Sequence, residues 1–102
     1  MPYRTTPLVN GQFYHIFNRG VEKRRIFTDK REHSHFLRTI KYYQQSESKI
    51  KFSQATPEEK EHESQVKLVE VIAYCLMPNH FHLLLQQLQD NGISTFVRKL
   101  LN

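Results

Sequence analysis

The stretch Met77-Pro78-Asn79-His80-Phe81-His82-Leu83-Leu84-Leu85 decides how the rest of the chain is read. Pro78-Asn79 opens it as a tight turn, with proline at the first central position and asparagine tolerating positive φ at the second. The residues after the turn suit a strand, whose side chains alternate between faces. His80 and His82 therefore project together on one side, and Phe81, Leu83 and Leu85 on the other. Two neutral imidazoles side by side on a rigid strand form a chelate for a divalent cation, with much of the entropy of gathering the ligands already removed. A third ligand must come from elsewhere. The His-x-His spacing alone is weak evidence, because a half-buried strand carrying two surface histidines has the same pattern. What strengthens it is position: the pair begins a strand directly after a tight turn, at an edge where a ligand can approach.

Working outward, Lys67 to Met77 is short and rich in β-formers, and reads as a strand covered on much of both faces. The strand His80 to Gln87 returns antiparallel to it across the turn. Upstream, Gly11 marks the entry to structure, and Gln12 to Asn18 is aromatic and β-branched, as suits a buried strand. Asp29 with Glu32 three residues on has the form of a helix cap with its reciprocal partner. Phe36, Leu37, Ile40 and Tyr43 then fall on one apolar stripe, with Lys30, Arg31, Arg38 and Lys41 elsewhere on the cylinder. Tyr42 and Tyr43, at the end of that stripe, read as core or rim residues. Downstream of Asp90-Asn91-Gly92, the spacing of Ile93, Phe96, Val97 and Leu100 predicts a further helix with Arg98-Lys99 on its other face.

Residues 46–65 form a polar insertion that is long for a compact connection. Within it Thr56-Pro57-Glu58-Glu59 supplies a cap, a proline at the first helical position and glutamate at the third, predicting a short exposed helix through about Glu63. The order is strand, helix, strand, strand, helix. An α+β domain of ferredoxin-like β-α-β-β-α type with an antiparallel sheet is expected, incomplete at its C-terminus for want of a fourth strand. The uncovered edge is a pairing liability, so the remainder is expected beyond residue 102 or on a partner chain.

A chain of 102 residues fits one domain with one modest core. No stretch is apolar and long enough to span a bilayer, and Met1 to Asn10 lacks the apolar run of a signal peptide, so a soluble, cytoplasmic protein is expected. Cys75, the only cysteine, makes no intrachain disulfide and is expected to pack as a small hydrophobe. The net charge of +5 is uneven. Residues 1–51 carry 11 Lys/Arg against 4 Asp/Glu, a net +7, and residues 52–102 carry 4 against 6, a net −2. A basic half favours a polyanion, for which nucleic acid is the usual candidate. Lys23-Arg24-Arg25, in a loop after the first strand, suits phosphate contacts.

Two segments, Tyr14-His15-Ile16-Phe17-Asn18-Arg19-Gly20 and Ala73-Tyr74-Cys75-Leu76-Met77-Pro78-Asn79-His80-Phe81-His82-Leu83-Leu84, followed by Ser94-Thr95-Phe96-Val97-Arg98-Lys99-Leu100, resemble the single-tyrosine HUH transposases, and among them the REP-associated (IS200-like) branch. The resemblance covers most of the chain except residues 46–65. It implies a ferredoxin-like fold in which His80 and His82 hold a divalent metal, Mg or Mn, on a central strand. The metal would polarise the scissile phosphate of single-stranded DNA and a tyrosine would attack it, leaving a 5′-phosphotyrosine. It also implies a DNA hairpin with flanking single strand as substrate, with Arg19, Lys23, Arg24 and Arg25 as phosphate contacts, and a possible homodimer. His15, on a strand neighbouring the His-x-His strand, is a candidate for a metal or DNA role.

The chain departs from the family where the nucleophile belongs. The family's tyrosine, and usually its third metal ligand, follow the segment matching Ile93 to Leu101, and none of Tyr3, Tyr14, Tyr42, Tyr43 or Tyr74 matches that position. A transposase truncated before its tyrosine, inactive alone, is therefore expected. The alternative is a catalytically inactive remnant that occupies DNA hairpins. A water-activating metal hydrolase ranks last, because Glu70 and Asp90 are the nearest carboxylates to His80.

Overall fold

In the computed structural model, residues 7–19, 29–45, 50–61 and 66–101 are described. Strand β1 (Phe13–Arg19) leads to helix α1 (Lys30–Tyr43), short helix α2 (Pro57–Glu61), strands β2 (Val69–Met77) and β3 (His80–Gln87), and helix α3 (Gly92–Leu101). The described strands form one antiparallel sheet in the order β1-β3-β2, so the last strand in sequence is central. The fold is α+β, as expected. Among the described residues no helix is long and apolar enough to cross a membrane.

The β2–β3 hairpin has a two-residue loop, with Met77 paired to His80. Its turn differs in one respect from the expectation. Asn91, at φ 60°, is the only described non-glycine residue with positive φ, so Asn79 completes the turn with φ negative. That suits a Pro-Asn turn in which both central residues lie on the right-handed side.

Alternation along β3 divides the molecule. Phe81, Leu83 and Leu85 are 1%, 1% and 0% exposed and meet Ile40 and Tyr43 of α1 and Ile93, Phe96 and Leu100 of α3 in one core. Phe36 adds a tilted ring contact with Phe81 at 5.2 Å. The opposite sheet face carries the histidines, with none of the described helices packed on it. Helix α1 starts where its cap predicts, the Glu32 N–H donating to Asp29 Oδ1 at 2.9 Å. At α2, Glu59 N–H donates to Thr56 Oγ1 (3.1 Å) and Thr56 N–H to Glu59 Oε1 (2.9 Å), a reciprocal capping box.

Three expectations are corrected. Strand β2 lies at the sheet edge, and Ile72, Tyr74 and Met77 are 48%, 54% and 41% exposed, so it is not covered on both faces. Strand β1 is half-buried: Tyr14 and Ile16 lean on the core while Phe13 and Phe17 stand 55% and 60% exposed on the other side. Cys75 is exposed on β2. The shared reason is that a three-stranded sheet with helices on one face buries both sides of no strand.

The polar insertion is anchored by Phe52, 4% exposed, in a single 3-10 turn at Phe52–Gln54. Phe52 packs edge-on against Tyr42 (5.4 Å) and His35 (5.3 Å), with Lys60 Nζ 4.6 Å above its ring. Tyr43 Oη accepts the Phe52 N–H at 2.9 Å, and Tyr42 Oη donates to the Ile50 carbonyl at 2.6 Å. The two tyrosines are core residues whose polar ends satisfy the insertion's backbone.

Buried Gln87 ties three segments together. Its Nε2 donates to Leu8 O and Asn10 Oδ1, both at 3.0 Å, and its Oε1 accepts the Ile93 N–H at 3.2 Å, satisfying an open donor at the start of α3. At the same junction a Cβ on Gly92 would lie 2.3 Å from the Leu68 carbonyl oxygen, closer than side chains tolerate. Gly92→Ala is therefore expected to destabilise the fold by about 1–3 kcal/mol through overpacking, read as a fall in thermal midpoint.

Burial, reinforced by the Glu59 carboxylate and then Tyr43, raises the Tyr42 phenol above its ordinary 10.0. A raised folded value means the contribution to stability is complete below the unfolded pKa and is lost as pH climbs through the folded one. Spectrophotometric titration should show a tyrosine ionising above the ordinary phenol range, and Tyr42→Phe should remove that late phase.

Candidate functional site

Strand β3 presents the two histidines from the middle of the sheet, where hydrogen bonding to both neighbours holds its backbone. The His80 and His82 rings are 5.1 Å apart, edge to face, on the side away from the core. His80 Nδ1 lies 2.8 Å from Asn79 Oδ1. An amide oxygen only accepts, so Nδ1 carries the proton and the His80 lone pair sits on Nε2. A hydrogen bond that fixes the tautomer in this way is what a ligating histidine requires.

His15 reaches the pair from β1. It opposes Leu84, diagonal to His82, and its Nε2 lies 2.8 Å from His82 Nδ1 with the rings nearly parallel, 8° apart at 5.0 Å. When His82 Nδ1–H donates to His15 Nε2, the His82 lone pair falls on Nε2, as in His80. In that tautomer His15 is the acceptor that orients His82, as Asn79 orients His80; with the proton on His15 Nε2 instead, His82 Nδ1 is the acceptor.

The donor set fits a divalent cation as half a site. Imidazole suits Zn²⁺, Fe²⁺, Ni²⁺ and Cu²⁺, whereas Mg²⁺ and Mn²⁺ favour oxygen, so for either of these two the remaining ligands would be oxygens such as those of a phosphate or carboxylate. Among the described residues no three His, Cys, Asp or Glu side chains are arranged to hold a metal. Cys75, opposite His82, and Glu70, opposite Gln86, occupy the same sheet face without completing such a group.

Of the basic residues expected to contact phosphate, Arg19 ends β1 at the register position opposite His80. Lys23, Arg24 and Arg25 lie outside the described residues. No described tyrosine joins the histidines. Tyr42 and Tyr43 are buried, Tyr14 opposes the core residue Leu85 and accepts the Val9 N–H at 2.8 Å, and Tyr74 opposes the core residue Leu83. Tyr3 lies outside the described residues.

Two contributors escaped the sequence reading. Asn79 reads as a turn residue, and its hydrogen bond to the following side chain has no separate signature. Phe17 reads as a buried aromatic. In fact it pairs with His82 across the strands, its ring 5.9 Å from His82 and 5.5 Å from His15. Its matching parity with His15 was the available signal.

No family model matches the chain, nor does any curated protein or solved structure.

The Asn79 contact is open to direct test. Long-range proton–nitrogen correlation spectra are expected to report the Nδ1–H tautomer for His80. In Asn79→Ala the same ring should become a mixture of tautomers while backbone amide shifts elsewhere stay in place.

Proposed function

We propose that this chain is the N-terminal part of a single-tyrosine HUH-type transposase, whose full-length form cleaves and joins single-stranded DNA through a phosphotyrosine intermediate. The observation that carries the reading is the pair His80 and His82 on the open face of a central strand, each beside a group that fixes its ring. The strand order β1-β3-β2 supports it further, being what a ferredoxin-like split βαβ unit has without its fourth strand. A cleft of about 550 Å³ between β1 and α3, lined by Leu8, Ile16, Val97 and Leu100, lies where a strand added beside β1 would point its inward side chains.

In this reading His80 and His82 bind the cation through Nε2, and Asn79 and His15 hold the two rings. A bound divalent metal, Mn²⁺ or Mg²⁺, supplies Lewis-acid polarisation of a phosphate oxygen. The basic first half draws in the DNA, a hairpin with flanking single strand. The nucleophile is not among the described tyrosines, and cleavage is assigned to the full-length form. A cytoplasmic setting and a homodimer belong to the same proposal.

A second reading, a catalytically inactive module that occupies DNA hairpins, is favoured by one observation: among the described residues no third metal ligand and no tyrosine accompany the histidines. Calorimetric titration with Mn²⁺ separates the two. The transposase reading expects binding by the wild type and losses of roughly tenfold or more in His80→Ala and His82→Ala, since even partners of ligating residues are worth about 10–100-fold. Equal affinity in all three proteins eliminates the metal half-site. Salt-dependent hairpin binding, unchanged by chelator, would then remain as the signature of the inactive module.

A further inference from the structure

The face of the sheet that carries the histidines is also an aromatic one. Phe13, His15 and Phe17 follow one another at every second position of β1, about 6.6 Å apart along the strand. Phe17, His15 and His82 form an array of three near-parallel rings, with interplanar angles of 30° for His15–Phe17, 8° for His15–His82 and 27° for Phe17–His82. Phe17 is 60% exposed and Phe13 55%. A phenyl ring on an apolar protein surface normally folds onto its neighbours to reduce its contact with water. Phe17 instead stacks on the two imidazoles that the register of β1 against β3 brings beside it, and it is still 60% exposed.

We propose that this face is a stacking platform for the unpaired bases of single-stranded nucleic acid, with Phe17 the principal stacking residue and Phe13 a second, further along the strand. The inference rests on the DNA-binding reading above and specifies which part of the ligand the sheet takes: bases, beside a phosphate at the histidines. Two features select this occupant over a protein surface. Near-parallel rings present flat π-faces, which match a planar base and give no advantage to aliphatic side chains. The net charge of the whole chain, +5, favours an anionic ligand, and Arg19 occupies the register position opposite His80 on this pair of strands. The described carboxylate on this face, Glu70, sits at its far end beside Lys67 Nζ at 3.4 Å.

The test uses the whole chain with chelator present, so that metal binding does not contribute. Fluorescence anisotropy would follow a labelled single strand of about twelve nucleotides, long enough for one such surface, at about 50 mM salt. Phe17→Ala is expected to weaken binding by roughly 5- to 150-fold, the equivalent of about 1–3 kcal/mol for one stacked base. Phe17→Leu should lose as much, and Phe17→Trp should restore it. A base-free strand of the same length should bind weakly and equally to all variants. Phe17 is exposed and outside the core, so its variants are expected to fold, which their thermal midpoints would check.

If Phe17→Ala and Phe13→Ala hold the strand as tightly as the wild type does, stacking is wrong while DNA binding stands, carried by other surfaces. Stacking is equally overturned if Phe17→Leu binds like wild type, since apolar area alone would then suffice. Failure of the wild type to bind any strand removes both readings together. If sedimentation shows Phe17→Ala turning a dimer into a monomer with DNA affinity unchanged, the face is a contact between copies and the platform is overturned.

Discussion

The period-two alternation of β3 is the constraint on which the rest depends. As the central strand of three, β3 cannot slip by one residue without sending Phe81, Leu83 and Leu85 into water and two imidazoles into the core. Burial of three large apolar side chains is worth several kcal/mol, on the order of 1.5–3 for each. The same energy that seals the core thus holds His80 and His82 on the open side. His80 and His82 lie on the face away from α1 and α3, yet both helices contribute to their placement by covering the other face.

Around that strand the polar groups with no ladder partner are satisfied by side chains from distant segments. Gln87 closes the junction between the N-terminal arm, the end of β3 and the start of α3. Tyr42 and Tyr43 do the same for the insertion, and no buried side-chain nitrogen or oxygen among the described residues lacks a partner. A buried amide in this role is exacting, because removing it strands two acceptors and a donor at once.

What was legible in the sequence was whatever local chemistry determines. The Asp29 and Thr56 caps, the stripe of α1, the β2–β3 hairpin and the shared face of His80 and His82 are all short-range patterns, and each appears at the expected residues. Properties that depend on the number of layers were not legible. Ile72, Tyr74 and Cys75 belong to an apolar run that suits a doubly covered strand, and only the sheet order reveals β2 as an exposed edge. Phe52 was hidden for the opposite reason, a single aromatic in a polar stretch whose burial depends on two tyrosines already placed on α1. At the site, the His-x-His pair was readable, but the orienting contacts of Asn79 and His15 are geometric facts with no motif.

The register shift in β2 between Val71 and Ala73 makes the two sheet edges unlike. An extra residue bends that edge, and the Gln44 side chain from the end of α1 already accepts the Val71 N–H at 3.3 Å. Such an edge is a poor template for a strand from another molecule, whereas β1 has no such guard among the described residues. Two copies meeting through β1 would turn only bulged edges outward, and assembly by strand pairing would end at a closed pair instead of running on into a fibre.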